Sequence, residues 1–236
     1  MQKLLSYMRS AVQQYNMIEE GDRIAVGLSG GKDSVAMLAA LARLRSFYPK
    51  KFDLVAITLD MRFDDKDTDC SALEELCKEL DVPYVIKRTQ LAKIVFESGE
   101  NGGPCSLCAR MRRGILHNTA KENGCNKIAL GHHLDDVAET FMMNLLNGGT
   151  LDCFSPVTYL SRKDIYMIRP MIFARESDCA RVVRRGNLPV VKNKCPADGC
   201  TERQEIKELL SSYESKYGDV RNKILGAMQR KDINGY

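Results

Sequence analysis

The sequence predicts an α/β protein with a parallel, Rossmann-like sheet, helices on both faces of that sheet, and further helices towards the carboxyl terminus. Short apolar runs alternate with amphipathic runs of helical period, which is the pattern of strands joined by crossover helices. A glycine-rich loop separates the first apolar run from the first helical run, where open α/β sheets bind ligands. The 236 residues are enough to bury one large core.

The predicted strands are apolar segments whose continuous hydrophobicity suits a sheet that is buried on both faces. They cover residues 23–28, 52–59, 83–89, 126–131 and 165–172. Because helical patterns separate these segments, the strands are expected to be parallel.

The predicted helices repeat apolar side chains three and four residues apart. In the first of them, Val35, Leu38 and Leu41 fall on one face, which predicts packing against the sheet. The predicted helices cover residues 34–47, 70–80, 106–122, 135–149, 175–186, 201–217 and 219–232. Gly218 separates the last two, and residues 96–108 are predicted to form a glycine-rich loop.

The chain is predicted to consist of three segments. These are a helical segment at 1–20, the main α/β domain at 21–190, and a carboxyl-terminal segment with helices at 191–236. No window is apolar enough for a membrane span, and the first residues lack the apolar centre of a signal peptide. We therefore expect a cytoplasmic protein that has no membrane partner.

Positive charge is concentrated in three short clusters, although the formal net charge is only +4. The clusters contain Arg110, Arg112 and Arg113, then Arg181, Arg184 and Arg185, and finally Lys192 and Lys194. Each cluster is explained either as a solvated helix face or as a surface that holds an anionic partner.

The nine cysteines fall into two groups. Their odd number, without a secretion signal, argues against a disulfide framework. The isolated cysteines are expected to pack as small hydrophobic side chains, and they are Cys70, Cys77, Cys125, Cys153 and Cys179. The other four form a C-x-x-C at Cys105 and Cys108 and a C-x4-C at Cys195 and Cys200, a pattern that fits a structural zinc site.

The phosphate loop, which we define as residues 29–34 (SGGKDS), follows the first predicted strand. A Walker nucleoside-triphosphate loop would need glycine where Val26 stands and a hydroxyl residue where Asp33 stands, so that identification fails. Gly30 and Gly31 allow a tight turn, and the N–H groups of the following helix favour an anion. Lys32 adds a positive charge, and Asp33 can hold Mg²⁺ carried by phosphates. Hydroxyl donors flank the loop at Ser29 and Ser34. The alternative is a Gly-Gly turn that only closes a strand–helix corner.

A second polar segment, residues 131–136 (GHHLDD), follows the predicted strand at 126–131. Adjacent His and Asp are typical of a helix cap, in which Asp135 or Asp136 binds the N–H groups of the first turn. The alternative is functional, because a carboxylate near a triphosphate could bind Mg²⁺ or remove a proton.

The phosphate loop resembles the pyrophosphate loop of the N-type ATP pyrophosphatases, which cleave ATP between the α and β phosphates and adenylate a substrate. Residues 15–38, 104–116, 131–149 and 168–176 are similar, in the same order, to segments of the tRNA 2-thiocytidine synthetases. The resemblance implies an adenine nucleotide α-hydrolase-like fold. The tRNA-lysidine and 2-thiouridine synthetases share the loop and the GH…DD segment.

The resemblance implies a set of site residues for ATP and Mg²⁺. The ATP site would comprise Ser29, Gly30, Gly31, Lys32, Asp33, Ser34, Thr58, Asp60, Gly131, His132 and Asp136. Catalytic roles fall to Lys32, to Asp135 as the carboxylate, and to Arg112, which would stabilise phosphate charge one helical turn after Cys108. The RNA backbone would be held by Arg110, Arg113, Arg184, Arg185, Lys192 and Lys194.

In the resembled family, a C-x-x-C and one distant cysteine hold a 4Fe–4S cluster, which here implies Cys105, Cys108 and Cys195. Three thiolates leave one iron open to an exogenous sulfide. Cys200 is a candidate fourth ligand, and four thiolates would also fit zinc. A third alternative is that these thiols bind nothing.

The resemblance implies an ATP-dependent tRNA sulfurtransferase that adenylates the C2 carbonyl of a pyrimidine, cytidine in preference to uridine, and replaces its oxygen with sulfur. The implied partners are tRNA and a sulfur donor such as a cysteine desulfurase, and a homodimer is open. One alternative is an adenylating 2-thiouridine-, amide- or amine-forming enzyme with a zinc site. Another is a nucleotide-sensing or RNA-binding module without turnover.

Overall fold

The computed structural model of the chain describes residues 1–63, 66–97, 104–191, 195 and 202–236, with the side chains at 96–97 and 104–105 outside the description. The described strands are Asp22–Gly27 (β1), Phe52–Asp60 (β2), Tyr84–Arg88 (β3), Lys127–Ala129 (β4), Val157–Leu160 (β5) and Ile165–Ile168 (β6). The described α-helices are Gln2–Gln14 (α1), Lys32–Arg45 (α2), Ser71–Glu79 (α3), Leu91–Glu97 (α4), Pro104–Glu122 (α5), Leu134–Leu146 (α6), Glu176–Gly186 (α7), Glu202–Tyr217 (α8) and Val220–Arg230 (α9). A short 3₁₀ turn follows at Ile233–Gly235.

The six strands form one sheet in the order β3-β2-β1-β4-β6-β5. Neighbouring strands are parallel except for β5 and β6, which pair antiparallel. The predicted α/β class and the predicted parallel sheet are therefore confirmed, and β5 is a strand that the sequence did not predict. Its residues are half-buried or exposed, so they lack the continuous apolar run of a central strand.

The strand predicted at 165–172 ends early, at Ile168. Arg169 follows and is in turn followed by Pro170, which has no N–H to donate to a neighbouring strand. The backbone turns away from the sheet there, and Ala174 N donates to Met171 O at 2.8 Å. The early end leaves Arg169 at the carboxyl edge of the sheet.

Helices cover both faces of the sheet, as predicted. On one face, residues from all three predicted segments of the chain meet in the main core, for example Leu4, Leu38 and Met228. On the other face, Leu116 of α5 packs against the strand residues Ala25, Val55 and Ile128. The free energy that stabilises the fold thus comes mainly from apolar area buried on two sides of one sheet.

The predicted helices are present, and α4 was not predicted. Gly218 separates α8 from α9 with a φ of +70°, a left-handed conformation that favours glycine. Ile206 and Leu210 of α8 pack against Ala138 of α6, which places the carboxyl-terminal helices beside the central helices. Within the described ranges, every helix is too short or too polar to cross a lipid bilayer.

The strand order reverses next to β1. The chain builds β2 and β3 on one side of β1 and then crosses to β4 on the other side. In open α/β sheets, ligands bind in the crevice outside the carboxyl ends of the strands at such a point. The phosphate loop follows β1, and the GHHLDD segment follows β4, so the topology brings the two polar segments together.

Candidate active site

A cleft of about 1040 Å³ opens at the carboxyl ends of β1, β2, β4 and β6. Its β2 side includes Thr58, Asp60, Met61, Phe63 and Leu73. Its β6 side includes His132, Phe154, Met167 and Arg169. The phosphate loop lies between the two sides, since β1 is flanked by β2 and β4. The volume is at the upper end of the range for small-molecule sites, which is roughly 300–1,000 Å³.

The first glycine of the phosphate loop is required for two reasons: its backbone is left-handed, and a neighbouring residue leaves no room for a side chain. Gly30 has a φ of +83°, and a Cβ placed there would meet Val191 Cβ at 2.9 Å. Val191 N donates to Gly30 O at 3.0 Å. The chain just before the predicted third cluster ligand, Cys195, therefore rests directly on the phosphate loop.

The two loop serines stabilise the start of α2. Gly31 is the N-cap residue, and Ser34 Oγ donates to Gly31 O at 2.9 Å. Ser29 Oγ lies 3.1 Å from Ser34 Oγ and accepts from Gly31 N at 3.4 Å. Ser34 is buried, whereas Ser29 is exposed and lines the cleft, so Ser29 is the hydroxyl group available to a ligand.

Lys32 lines the cleft and contacts two carboxylates. Its Nζ donates to Asp33 Oδ2 at 3.0 Å and lies 2.8 Å from Glu176 Oε1. Burial alone would lower the pKa of Lys32, but the hydrogen bonds and charges of Glu176 and Asp33 raise it above its ordinary value. The ammonium group is therefore positively charged across the physiological pH range.

Glu176, the first residue of α7, connects the phosphate loop to α8. Its Oε2 accepts from Lys207 Nζ at 2.7 Å, so one carboxylate bridges Lys32 and Lys207. Burial alone would raise the pKa of Glu176, but the hydrogen bonds from Lys207 and Lys32 lower it to about 2. The sequence analysis missed this residue, since an acid in the first turn of a helix is a common feature.

Asp33 lines the cleft, and one of its carboxylate oxygens is buried. Its Oδ2 is bound to Lys32, whereas Oδ1 has no hydrogen-bond partner among the described residues and lies 3.8 Å from His133 Nε2. A carboxylate in the cleft lining beside an anion-binding loop suits Mg²⁺ carried by phosphates, because Mg²⁺ prefers oxygen ligands.

The GHHLDD segment caps α6 and packs against the phosphate loop. His133 and Asp136 form a reciprocal capping box, in which Asp136 Oδ2 accepts from His133 N at 2.9 Å and His133 Nδ1 accepts from Asp136 N at 3.3 Å. The capping role considered for one of the two aspartates is thus confirmed for Asp136. A Cβ at Gly131 would lie 3.4 Å from Asp33 C and Ser34 N, so this glycine allows the two segments to approach closely.

Asp135, for which the resemblance implied a catalytic role, makes polar contacts with both carboxylate oxygens. It is buried, and its Oδ2 accepts from Glu176 N at 2.7 Å. Its Oδ1 lies 3.1 Å from Arg221 Nε and 3.5 Å from Arg175 Nε. Both oxygens therefore hold α7 and α9 against α6. Adjacent acids in a helical first turn point in different directions, and the sequence does not tell which one faces the ligand.

Thr58 and Asp60 line the β2 side of the cleft with their polar atoms already bonded. Thr58 Oγ1 donates to Leu28 O at 2.6 Å and accepts from Tyr84 Oη at 2.8 Å. Asp60 accepts from the N–H and the hydroxyl of Thr68, at 3.0 and 2.8 Å. Burial alone would raise the pKa of Asp60, but its hydrogen bonds from Thr68 and Arg62 lower it. The two residues shape this side of the cleft.

Arginines line the cleft from two helices. Arg112 and Arg113 of α5 are exposed at its rim. Arg203 of α8, which the sequence analysis missed, also lines it and lies 3.3 Å from Asp136 Oδ1. Arg184 and Arg185 lie exposed in the last turn of α7, and Arg110 lies exposed on α5. The predicted RNA contacts Lys192 and Lys194 lie outside the described residues.

The cysteines divide structurally as they did in the sequence. The five isolated cysteines are buried free thiols, and burial raises the pKa of each. Cys108 and Cys195 are half-buried. Cys108 packs beside Met61 and Leu91, one turn before Arg112 of the cleft rim. The Cys105 side chain and Cys200 lie outside the described residues, among which no three His, Cys, Asp or Glu side chains converge as a metal site.

The β6 side of the cleft is a layered wall of flat side chains. The rings of His132 and Phe154 lie 4.8 Å apart between centroids, and Arg169 Cζ lies 4.9 Å from the centroid of Phe154. Burial, together with the charges of Arg169 and Arg203, lowers the pKa of His132 to about 4 against the opposing effect of Asp136. His132 is therefore neutral at physiological pH, and the wall is available to a flat, uncharged ligand.

Comparison with known proteins agrees with this geometry. Residues 4–212 match the family model described as a PP-loop domain. The chain is 38% identical over 229 residues to the tRNA-cytidine(32) 2-sulfurtransferase of Syntrophotalea carbinolica, covering 96% of this chain and 88% of the relative. It is 37% identical over 235 residues to the enzyme of the same name from Dechloromonas aromatica, covering 97% and 81%.

A solved structure is similar over most of the fold. It is the U34-tRNA thiolase NcsA from Methanococcus maripaludis with its [4Fe-4S] cluster, which superposes with a TM-score of 0.78 at 26% sequence identity. The similarity covers 95% of this chain and 77% of that one.

Proposed function

Because this chain belongs to the PP-loop domain family and, within it, to the tRNA-cytidine 2-sulfurtransferases, we propose that it converts cytidine 32 of tRNA to 2-thiocytidine with ATP. The observation that carries the proposal is the phosphate loop at the centre of the cleft. There Lys32 supplies a permanent positive charge and Asp33 a carboxylate in the cleft lining. The flat wall beside the loop could accept the base.

The first step in this proposal activates the base. The cytosine O2 attacks the α-phosphorus of ATP, the bond from that phosphorus to the bridging oxygen breaks, and pyrophosphate leaves with the electron pair. Lys32 and the N–H groups at the start of α2 would stabilise charge on the leaving pyrophosphate. The Asp33 carboxylate would bind its Mg²⁺, and Arg112 would contact the transferring phosphate from the cleft rim.

The second step replaces oxygen with sulfur. A hydrosulfide adds to C2, the C2–O bond breaks, AMP leaves with the oxygen and the electron pair, and the S–H proton passes to solvent. Adenylation is needed because the carbonyl oxygen alone is a poor leaving group. The target base must leave its stack to reach the cleft, as in other enzymes that act on a base.

The described thiols fit a 4Fe–4S cluster held by Cys105, Cys108 and Cys195. Cys108 and Cys195 are half-buried, and Cys108 lies in an apolar cluster one turn from the cleft rim. When bound, such a cluster supplies one iron that no protein thiolate fills and that can bind sulfide. The NcsA structure, which carries its cluster on a similar fold, supports iron over the alternative of four-thiolate zinc.

The remaining partners form part of the same proposal. Exposed Arg110, Arg113, Arg184 and Arg185 would bind the RNA backbone, and a cysteine desulfurase would supply sulfur. We place the enzyme in the cytoplasm, where tRNA and ATP meet, and propose a homodimer by analogy with the family. The names of the relatives favour cytidine over uridine, and a sulfurtransferase over an amide- or amine-forming enzyme.

The test combines metal analysis with a sulfur-transfer assay on anaerobically purified protein. We expect iron and labile sulfide, and ATP-dependent 2-thiocytidine in an anticodon stem-loop RNA when sulfide is supplied. Cys108→Ser should lose the brown chromophore and the activity, whereas Cys200→Ser should keep both. A colourless zinc protein that Cys200→Ser destabilises would overturn the cluster, and absence of thiolation in any RNA would overturn the proposed activity.

A further inference from the structure

Arg169 is a buried cation at the carboxyl edge of β6. It is only 6% exposed and lines the β6 side of the cleft. Its Nη1 donates to Ser155 O at 2.5 Å and to Thr158 Oγ1 at 3.3 Å. Among the described residues, no carboxylate lies within ion-pair distance of its guanidinium group. Buried charges in proteins are normally paired, so this arginine lacks a partner that the site is expected to provide.

The Nε–Nη2 edge of the guanidinium group makes no hydrogen bond to the described residues, and this edge can bind two acceptor atoms that lie in one plane. Within the described ranges, Nε is buried without a hydrogen-bond partner, and the hydrogen bonds that Arg169 does make use Nη1. An arginine presents Nε and Nη2 as a rigid fork of two parallel N–H donors. A ligand that satisfies this fork needs two acceptor atoms side by side in one plane.

The surroundings of the fork suit a nucleobase. Phe154 lies against the guanidinium plane and His132 against Phe154, so the wall offers flat surfaces of the kind on which bases stack in RNA-binding proteins. The Nδ1 of His132 also has no partner among the described residues. Neutral imidazole and aromatic rings add no competing charge to this wall.

The position of the wall relative to the phosphate loop leaves it free for a second substrate. The loop follows β1, with the β2 side of the cleft on one flank and the β6 side on the other. A nucleotide whose phosphates lie on the loop and whose nucleoside lies on the β2 side leaves the β6 side open. The reacting base would then approach the α-phosphorus from the side of Arg169.

We propose that Arg169 selects cytosine by donating hydrogen bonds from its Nε–Nη2 edge to the O2 and N3 atoms of the target base. This inference rests on the proposed function and names the residue that specifies its substrate. In cytosine O2 and N3 are both acceptors, whereas in uracil N3 carries a hydrogen that would face one of the N–H donors. The second lone pair of O2 stays available to attack the α-phosphorus.

The test changes single atoms of the substrate and single residues of the protein. Anticodon stem-loops carrying cytidine, uridine or 3-deazacytidine at position 32 would be compared for thiolation kcat/KM and for equilibrium binding by fluorescence anisotropy. For the wild-type protein, 3-deazacytidine lacks the N3 acceptor and uridine carries N–H there. Each change should lower kcat/KM and binding affinity by roughly ten- to a hundredfold. Arg169→Gln should weaken the cytidine substrate similarly, and 3-deazacytidine should then cause little further loss. The matched control Arg162→Gln, an exposed arginine in the β5–β6 turn, should behave like wild type.

Three outcomes overturn the proposal. One is a wild-type protein that binds and thiolates 3-deazacytidine and cytidine equally well. Another is an Arg169→Gln protein in which 3-deazacytidine still causes the full loss. The third is weaker binding of a non-hydrolysable ATP analogue to Arg169→Gln, which would assign the arginine to the nucleotide phosphates.

Two further measurements keep the result interpretable. Arg169→Lys retains the charge without the fork, so it should also lose the preference for cytidine, and it serves where Arg169→Gln does not fold. If no RNA is thiolated, the proposed activity fails, but the binding comparison still decides the assignment of Arg169.

Discussion

Lys32 and Arg169 line the same cleft but differ in what surrounds their charges. Lys32 contacts Asp33 and Glu176, whereas Arg169 is more deeply buried and has no carboxylate partner among the described residues. A phosphate that binds Lys32 must therefore share or displace partners that are already present. A ligand that binds Arg169 supplies hydrogen bonds that the free protein lacks. Lys32 is thus paired with carboxylates before a ligand binds, whereas the charge of Arg169 is paired only when a ligand binds.

The largest expected effect is on the side of Lys32. Lys32→Ala and Asp33→Ala should each reduce thiolation kcat/KM by roughly a hundred- to a thousandfold, because each removes a group that contacts the phosphates or their Mg²⁺. Circular dichroism and iron content should stay unchanged, since both side chains face the cleft. Lys216→Ala, an exposed lysine on α8, is the control. Near-normal turnover in either variant would remove the phosphate loop from the mechanism.

The phosphate loop and the β6 side of the cleft also differ in how well the sequence alone predicts them. Gly30, Lys32 and Asp33 lie in one hexapeptide, whose composition already indicates an anion site. Arg169 and Glu176 come from a strand end and a helix start; both lie in the similar segment 168–176, but their residue types alone do not indicate a site. Their contacts depend on the sheet order and on α8, which a single sequence does not specify.

The same distinction explains the errors of prediction elsewhere. The buried strands and amphipathic helices have strong periodic patterns, so their positions were predicted closely. The edge strand β5 has half-buried residues without such a pattern. The resemblance gave Asp135 its catalytic role, and the contacts of this carboxylate with Arg175 and Arg221 come from distant helices that the local sequence does not specify.

The next largest effect is a dependence of stability on pH that comes from His132, which lies on the β6 side of the cleft with Arg169. The pKa of His132 falls from an ordinary 6.5 to about 4, so the unfolded chain binds a proton in this window that the folded protein does not bind. Stability should therefore decline as pH falls from 6.5 to 4, by roughly 2–3 kcal/mol from this residue. Urea unfolding of His132→Gln should lack this part of the decline. An identical pH profile in wild type and variant would mean that the imidazole is not sequestered from water.

The smallest effect concerns the carboxylate that neutralises Lys32. Glu176→Gln should reduce the free energy of unfolding at pH 7 by about 1 kcal/mol, because hydrogen bonds to charged groups are lost in a partly exposed site. The pKa of Glu176 is lowered from 4.5 to about 2, so its contribution is complete above pH 4.5 and is lost as pH falls to about 2. The difference between variant and wild type should therefore shrink over that window. Glu205→Gln, an exposed acid on α8, should show no such difference, and equal behaviour of the two variants would contradict the bridge.

The most direct test of the account follows the oxygen that leaves the base. A stem-loop RNA labelled with ¹⁸O at O2 of cytidine 32 would be thiolated with ATP and sulfide, and the AMP analysed by mass spectrometry. Adenylation at O2 predicts one ¹⁸O atom in the phosphate of AMP for each 2-thiocytidine formed, and with Lys32→Ala labelled AMP and 2-thiocytidine should fall together. Formation of 2-thiocytidine with unlabelled AMP, or with the label released into water, would contradict the proposed mechanism.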